Sequence, residues 1–133
     1  MVRDFKNIRA WQYADDLAVL VCSQTKSFPK EELYGMTSQL RRAAISVPAN
    51  IAEGASRKSR TEYLHFPNIA KGSMAEIEYL LHFSKRVGYL RNNEYEKLEE
   101  LRKRAAGTLH GLTNSVKKET GKADHLTSEP PRV

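Results

Sequence analysis

The sequence predicts an all-α protein, an up-and-down antiparallel four-helix bundle. Three observations carry that expectation: apolar residues recur at three- and four-residue spacing in four segments, no stretch alternates with period two, and the connections are short. The 133 residues are 40% hydrophobic and 29% charged, with 22 Lys and Arg against 16 Asp and Glu, one Cys, seven Gly and five Pro. That length makes one domain, expected over 1–119, with a flexible tail over 120–133. The composition excludes a membrane span, a collagen-like repeat, a disulfide scaffold and disorder along the whole chain.

Helix one is expected from Ile8, with Ile8, Trp11, Ala14, Leu17, Ala18 and Val21 on its buried face. It stops before Phe28-Pro29, since the residue before a proline is pushed out of the helical region. Helix two is expected from near Glu31, carrying Met36, Leu40, Ala44, Val47 and Ile51, and ending between Gly54 and Arg57. Ser59-Arg60-Thr61-Glu62 reads as a capping box that opens helix three. The buried stripe there is Tyr63, Phe66, Ala70, Ser73, Ile77, Leu80, Leu81 and Val87, with Gly88 placed to end it. Asn93 followed by Glu96 repeats the capping pattern, and Leu98, Leu101, Ala105, Leu109, Leu112 and Val116 give helix four. Pro48 and Pro67 fall inside helical patterns, where each removes an N–H donor and crowds the carbonyl four residues earlier. A kink is expected at each; the alternative is that each proline splits its segment into two shorter helices.

Helix two has too many apolar sides for a four-helix monomer. At 100° per residue its core stripe occupies one arc, yet Ile45, Pro48, Ala49 and Ala52 occupy much of the opposite side. Such a face left in water is a contact surface, so it is expected to bury against another copy of the chain. The expected interface is Gln39, Arg42, Ile45, Ser46, Pro48, Ala49, Asn50, Ala52 and Glu53. Ala49, Ala52, Gly54 and Ala55 would permit close backbone approach, and Arg42 with Glu53, and Asn50, would set register at the margin.

The run Phe28-Pro29, Glu32, Tyr34-Gly35, Thr37-Ser38-Gln39-Leu40-Arg41-Arg42-Ala43 and Ser46-Val47-Pro48-Ala49-Asn50-Ile51-Ala52-Glu53-Gly54 resembles the bacterial four-helix-bundle proteins called 23S rRNA intervening-sequence proteins. Trp11-Gln12 with Ala14, Arg57-Lys58-Ser59, and Ile69-Ala70-Lys71-Gly72-Ser73 with Glu76 and Glu78 fit the same pattern, over about residues 5–115. Pro67 departs from it, standing where the family usually has a leucine-like residue. The resemblance implies a cytoplasmic bundle that assembles into a ring-like homo-oligomer, most often a pentamer, with no established enzymatic activity. More distantly, the chain looks like the accessory bundle protein of diversity-generating retroelements, which binds nucleic acid and a reverse transcriptase.

Charge is uneven along the chain. Residues 1–38 are neutral, 39–60 carry +4, 61–84 carry −2 and 85–133 carry +4. Arg41, Arg42, Arg57, Lys58 and Arg60 make the first basic block; Lys85, Arg86, Arg91, Lys97, Arg102, Lys103 and Arg104 make the second. Helices two and four run in the same direction, so the two blocks are expected at one end of the bundle. Phosphate binding by counterion release grows with each basic contact, making RNA or DNA, and a nucleic-acid enzyme, candidate partners. The candidate nucleic-acid-binding residues are Arg57, Lys58, Arg60, Arg102, Lys103 and Arg104. Glu94, Glu96, Glu99 and Glu100 interleave the second block as in solvated helix faces, which favours the competing reading of charge serving solubility.

Enzyme chemistry finds little support. Glu62 and His65 match one half of a two-metal bundle motif, but His82 stands 17 residues on, about 25 Å along the helix, and cannot share a metal. His110 and His125 have no ligand-like spacing. No Gly-rich phosphate loop or nucleophile elbow is present, and Cys22 reads as a small buried hydrophobe. No catalytic residue, metal or cofactor is expected. The N-terminus is charged from Arg3 and has no signal-like apolar run, so a cytoplasmic location is expected. The reading is a non-enzymatic homo-oligomeric scaffold presenting basic surfaces to nucleic acid; the alternative is a self-assembling or protein-binding module.

Overall fold

Each apolar stripe folds into a helix with that stripe turned inward. The computed structural model describes residues 3–126, with side chains as far as Glu119. Four α-helices follow in order: α1, Arg9–Gln24; α2, Ser38–Ala55; α3, Arg60–Arg86; and α4, Asn92–Leu126. No strand occurs among the described residues. Each helix packs on the next and α4 closes the ring against α1, with the most extensive contact between α2 and α3. The core is built from Leu17 and Val21 of α1, Leu40, Val47 and Ile51 of α2, Ile77 and Leu81 of α3, and Leu98 and Leu109 of α4. Burial of each such side chain contributes about 1.5–3 kcal/mol.

Local chemistry sets the helix ends. The Ser59 hydroxyl accepts from the Glu62 N–H at 3.1 Å, which is one half of the expected capping box; the return bond from the Ser59 N–H to the Glu62 carboxylate does not form among the described residues. The second cap falls two residues earlier than the sequence suggested: Glu94, rather than Glu96, accepts from the N–H of Arg91 at 2.9 Å. Gly88, at φ +85°, ends α3, and the N–H groups of Tyr89 and Leu90 turn back onto the Ser84 carbonyl. Val87, expected in the buried stripe, lies at this turn and is exposed. α2 starts later than Glu31, because a 3-10 turn over Lys30–Glu32 and a π-helical turn over Leu33–Thr37 precede it, with Gly35 outside helical backbone. α4 runs through Leu126, into the segment expected as a tail; residues 127–133 lie outside the described residues.

Both prolines sit inside uninterrupted helices, so neither segment splits in two. Pro67 cannot donate to the carbonyl of Tyr63, and α2 exploits that position. Gly54 packs there so closely that a Cβ on it would stand 3.0 Å from the Tyr63 carbonyl oxygen and 3.2 Å from both Phe66 Cβ and Pro67 Cδ. Gly54 and the buried Ala55 therefore bring α2 against α3 and α4 within one chain; sequence reasoning had reserved them for contact between copies. The N-terminal segment ties the same end: Arg3 donates its N–H to the Ala55 carbonyl, pairs with Glu119 at 2.7 Å and lies 5.3 Å from the centre of the Tyr63 ring. Burial pushes the Tyr63 phenol above its usual pKa, with Arg3 opposing the shift.

A Gly54→Ala change should destabilise the protein by about 1–3 kcal/mol through overpacking. Gly72→Ala, where a Cβ meets nothing within 4 Å, should instead stabilise it by about 0.5–1 kcal/mol. Urea unfolding of both variants checks the pair; a neutral Gly54→Ala would contradict the close crossing.

Candidate functional site

Ion pairing decides which of the basic residues can meet a ligand. Arg102 is buried, with its guanidinium held by Glu99 from Nε at 2.8 Å and by Glu78 of α3 at 3.3 Å. The hydrogen bond to Glu99 pushes its pKa still further above the arginine range. It is a bridge between α3 and α4, and its place among the expected nucleic-acid contacts is corrected on that ground. Arg57 pairs with Glu53 of α2 and lies 4.7 Å from the centre of the Phe66 ring. Lys58 is exposed, and Arg60 is half-buried.

The two basic blocks do not share an end. Arg57 sits at the level of Phe66 and Arg102 at the level of Glu78, 12 residues on along α3, which is about 18 Å at 1.5 Å per residue. The directions of α2 and α4 do match, but Arg102, Lys103 and Arg104 fall in the first half of α4, far from its C-terminal end.

Instead, α1 and α4 assemble a different set. Two adjoining hollows of about 360 and 280 Å³ are lined by Arg9 and Tyr13 from α1 with Lys103, Arg104 and Thr108, and by Tyr13, Leu20, Lys97, Glu100 and Arg104. Arg9, Lys97 and Lys103 are exposed and have no ion-pair partner among the described residues; Arg104 meets only Glu100, at 3.4 Å between two well-exposed side chains. A pair of that kind contributes about 0–1 kcal/mol and yields readily to a phosphate. The lining thus sets four cations against one carboxylate. The sequence alone does not point to Arg9, and it places Lys97 in the second basic block without marking it as a contact, although Lys97, Leu101, Arg104 and Thr108 follow one helix face at i, i+4, i+7 and i+11.

The expected interface residues of α2 separate into three groups. Ile45, at 52% exposure, and Ala49 face outward, and Ile45 joins the exposed Val19 along a groove of about 390 Å³ that also includes Ala18 and the half-buried Cys22. Ala52 is half-buried on the same side. Pro48 does not belong to this free face: it shares the α1-facing side of α2 with Arg41, which donates to Thr25 Oγ1 at 2.8 Å, and is buried inside the chain. Gln39, Arg42 and Ser46 turn towards α3, where Ser46 and Ser73 share a hydrogen bond of 2.8 Å in a cleft between the helices. Asn50 donates to the carbonyl and hydroxyl of Ser46, and Glu53 takes Arg57, so the expected Arg42–Glu53 pairing does not form.

A further apolar line, Ile69, Tyr79, Phe83 and Val87, is exposed along the outer side of α3. Glu62 and His65 are exposed, with His65 edge-on to Phe66 at 5.1 Å. Among the described residues no three His, Cys, Asp or Glu side chains gather as a metal site would need, and no helix is long and apolar enough to cross a membrane. His125 lies beyond the described side chains.

The bundle is similar to a crystal structure of a protein of unknown function from the S23 ribosomal protein family of Bacteroides thetaiotaomicron, with a TM-score of 0.73 and 24% identity, covering 78% of this chain and 97% of that one. At that identity the likeness is one of fold. No curated protein matches the chain. The family model for the 23S rRNA-intervening sequence protein matches residues 6–111, spanning α1 to α3 and the first half of α4, and the chain belongs to that family.

Proposed function

We propose that the protein is a non-enzymatic, self-associating bundle that presents its α1–α4 face to the phosphates of a nucleic acid. The observation that carries this reading is the gathering of Arg9, Lys97, Lys103 and Arg104 around two hollows with a single opposing carboxylate. Cations left without internal partners are the ones that can exchange condensed counterions for protein contacts. No base-reading motif accompanies them, so recognition follows charge and shape. Self-association uses the neighbouring α1–α2 face: Ile45 and Ala49 of α2 with Val19 of α1, all exposed and apolar. A ring of copies, five by the family resemblance, would repeat the basic face around its axis and multiply its effect.

The competing reading, a self-assembling or protein-binding module without nucleic acid, draws on the exposed α3 line of Ile69, Tyr79, Phe83 and Val87. Titration with duplex DNA and structured RNA at several salt concentrations separates the two. The first reading expects the logarithm of duplex affinity to fall against the logarithm of salt with a slope of about −3 to −4 per copy engaged, and no binding at low salt would end it.

The double change Lys103→Gln and Arg104→Gln should reduce the magnitude of that slope by about 2 and leave stability within about 0.5 kcal/mol. Arg102→Ala should do the reverse, costing about 3 kcal/mol by stranding Glu99 while leaving the slope intact. Gel shifts and thermal melts on both variants give the comparison. For assembly, Ile45→Asp should lower the particle mass in light scattering; an unchanged mass would remove the α2 face from the contact.

A further inference from the structure

Tyr34 is 93% exposed, more than any other large hydrophobic side chain described, and its hydroxyl has no hydrogen-bond partner. It stands on the π-helical turn before α2, beside the irregular backbone of Gly35. An aromatic ring so placed adds nothing to the core. It forms one wall of the α2–α3 cleft, a space of about 470 Å³ whose other walls include Gln39, Arg42, Ser73 and Glu76. Ser73 is engaged with Ser46, but Gln39, Arg42 and Glu76 have no hydrogen bond or ion pair among the described residues. An open π-face, a free guanidinium, a free amide and a free carboxylate therefore surround one cleft.

We propose that this cleft seats one unpaired nucleotide of a single-stranded nucleic acid, its base stacked on Tyr34 and its phosphate held by Arg42. The inference rests on the nucleic-acid reading above and deepens it by adding a second, single-strand-specific contact. The chemistry of each wall fits. A base offers a π-face to a tyrosine irrespective of its sequence, and a guanidinium meets phosphate through paired N–H donors. Glu76 accepts only, so it favours bases that offer it more than one N–H, such as guanine with its ring N–H and exocyclic amine, over uracil, which offers its single ring N–H. A duplex keeps its bases stacked and leaves Tyr34 without a partner. A peptide is the other occupant of a cleft this size, but it would be recognised by apolar anchors, and the walls here are polar around one free-standing ring. The cleft lies on the α3 side of α2 and the groove shared by Ile45 and Val19 lies on its α1 side, with Ala49, on the same helix face as Arg42, at the border between them.

The test is fluorescence anisotropy of the full chain with labelled single strands of mixed sequence, single strands of uridine only, and a duplex of equal length, at about 50 and 200 mM salt. The wild type should prefer the mixed single strand over both others. Tyr34→Ala should weaken that strand by about tenfold with the duplex unchanged, and Tyr34→Phe should restore it, since the ring and not the hydroxyl carries the contact. Arg42→Gln should weaken the single strand and flatten its salt dependence. Equal loss on single strand and duplex, or no loss with Tyr34→Ala, would overturn the inference and assign the cleft to a peptide or to no ligand, while leaving the α1–α4 reading in place. Failure of the wild type to bind either form would overturn both.

Discussion

The seam between α2 and α3 is the contact around which the rest of the molecule is arranged. At its lower end Gly54 lies on the carbonyl that Pro67 leaves without an intrahelical donor. A helix-interior proline normally costs about 3 kcal/mol, part of which reflects that orphaned carbonyl. Here the orphan faces a residue with no Cβ, so the two backbones close on each other. Midway, the Ser46–Ser73 hydrogen bond satisfies two hydroxyls that would otherwise be caught in the same seam. At the upper end the Gly35 turn leads the chain away from helical geometry, and the seam opens into the polar cleft. Close contact below and an opening above thus follow from the positions of two glycines and one proline.

Charge is distributed by the same logic. Arg102 and Arg57 are drawn into pairs with glutamates and against neighbouring helices, so they serve the fold. Arg9, Lys97, Lys103 and Arg104 stand on a face where carboxylates are outnumbered, so their charge is available to an outside anion. A net charge of +6 says nothing about this division. What matters is whether each cation already has a partner when the chain is folded. The buried Arg102 with Glu99 shows the point most sharply, because neighbouring residues in sequence, Lys103 and Arg104, remain at the surface.

Much of the fold was legible in the sequence because it depends on periodicity and on local caps. The four helices, the Ser59 cap and the Gly88 stop all follow from residues close in sequence. The start of α2 was not legible, since the Gly35 turn requires the surrounding structure to choose non-helical backbone. Pro48 was misplaced for a similar reason: a helical wheel gives an angle, but only the position of α1 decides whether that angle is covered. The candidate face was harder still. Arg102 and Lys103 are adjacent and equally basic, and only the packing of α3 against α4 turns one inward. Tyr34 carried no periodic signal, because it lies in a turn.

Lysine reactivity tests the central claim most directly, because it reads single side chains on the unaltered protein. Mild acetylation with and without a saturating structured RNA, followed by mass spectrometry, compares Lys97 and Lys103 on the α1–α4 face with Lys58 at the far end of α2. The account predicts that RNA shields Lys97 and Lys103 and leaves Lys58 as reactive as in the free protein. Shielding of Lys58 alone, or no shielding at any of the three, would contradict it.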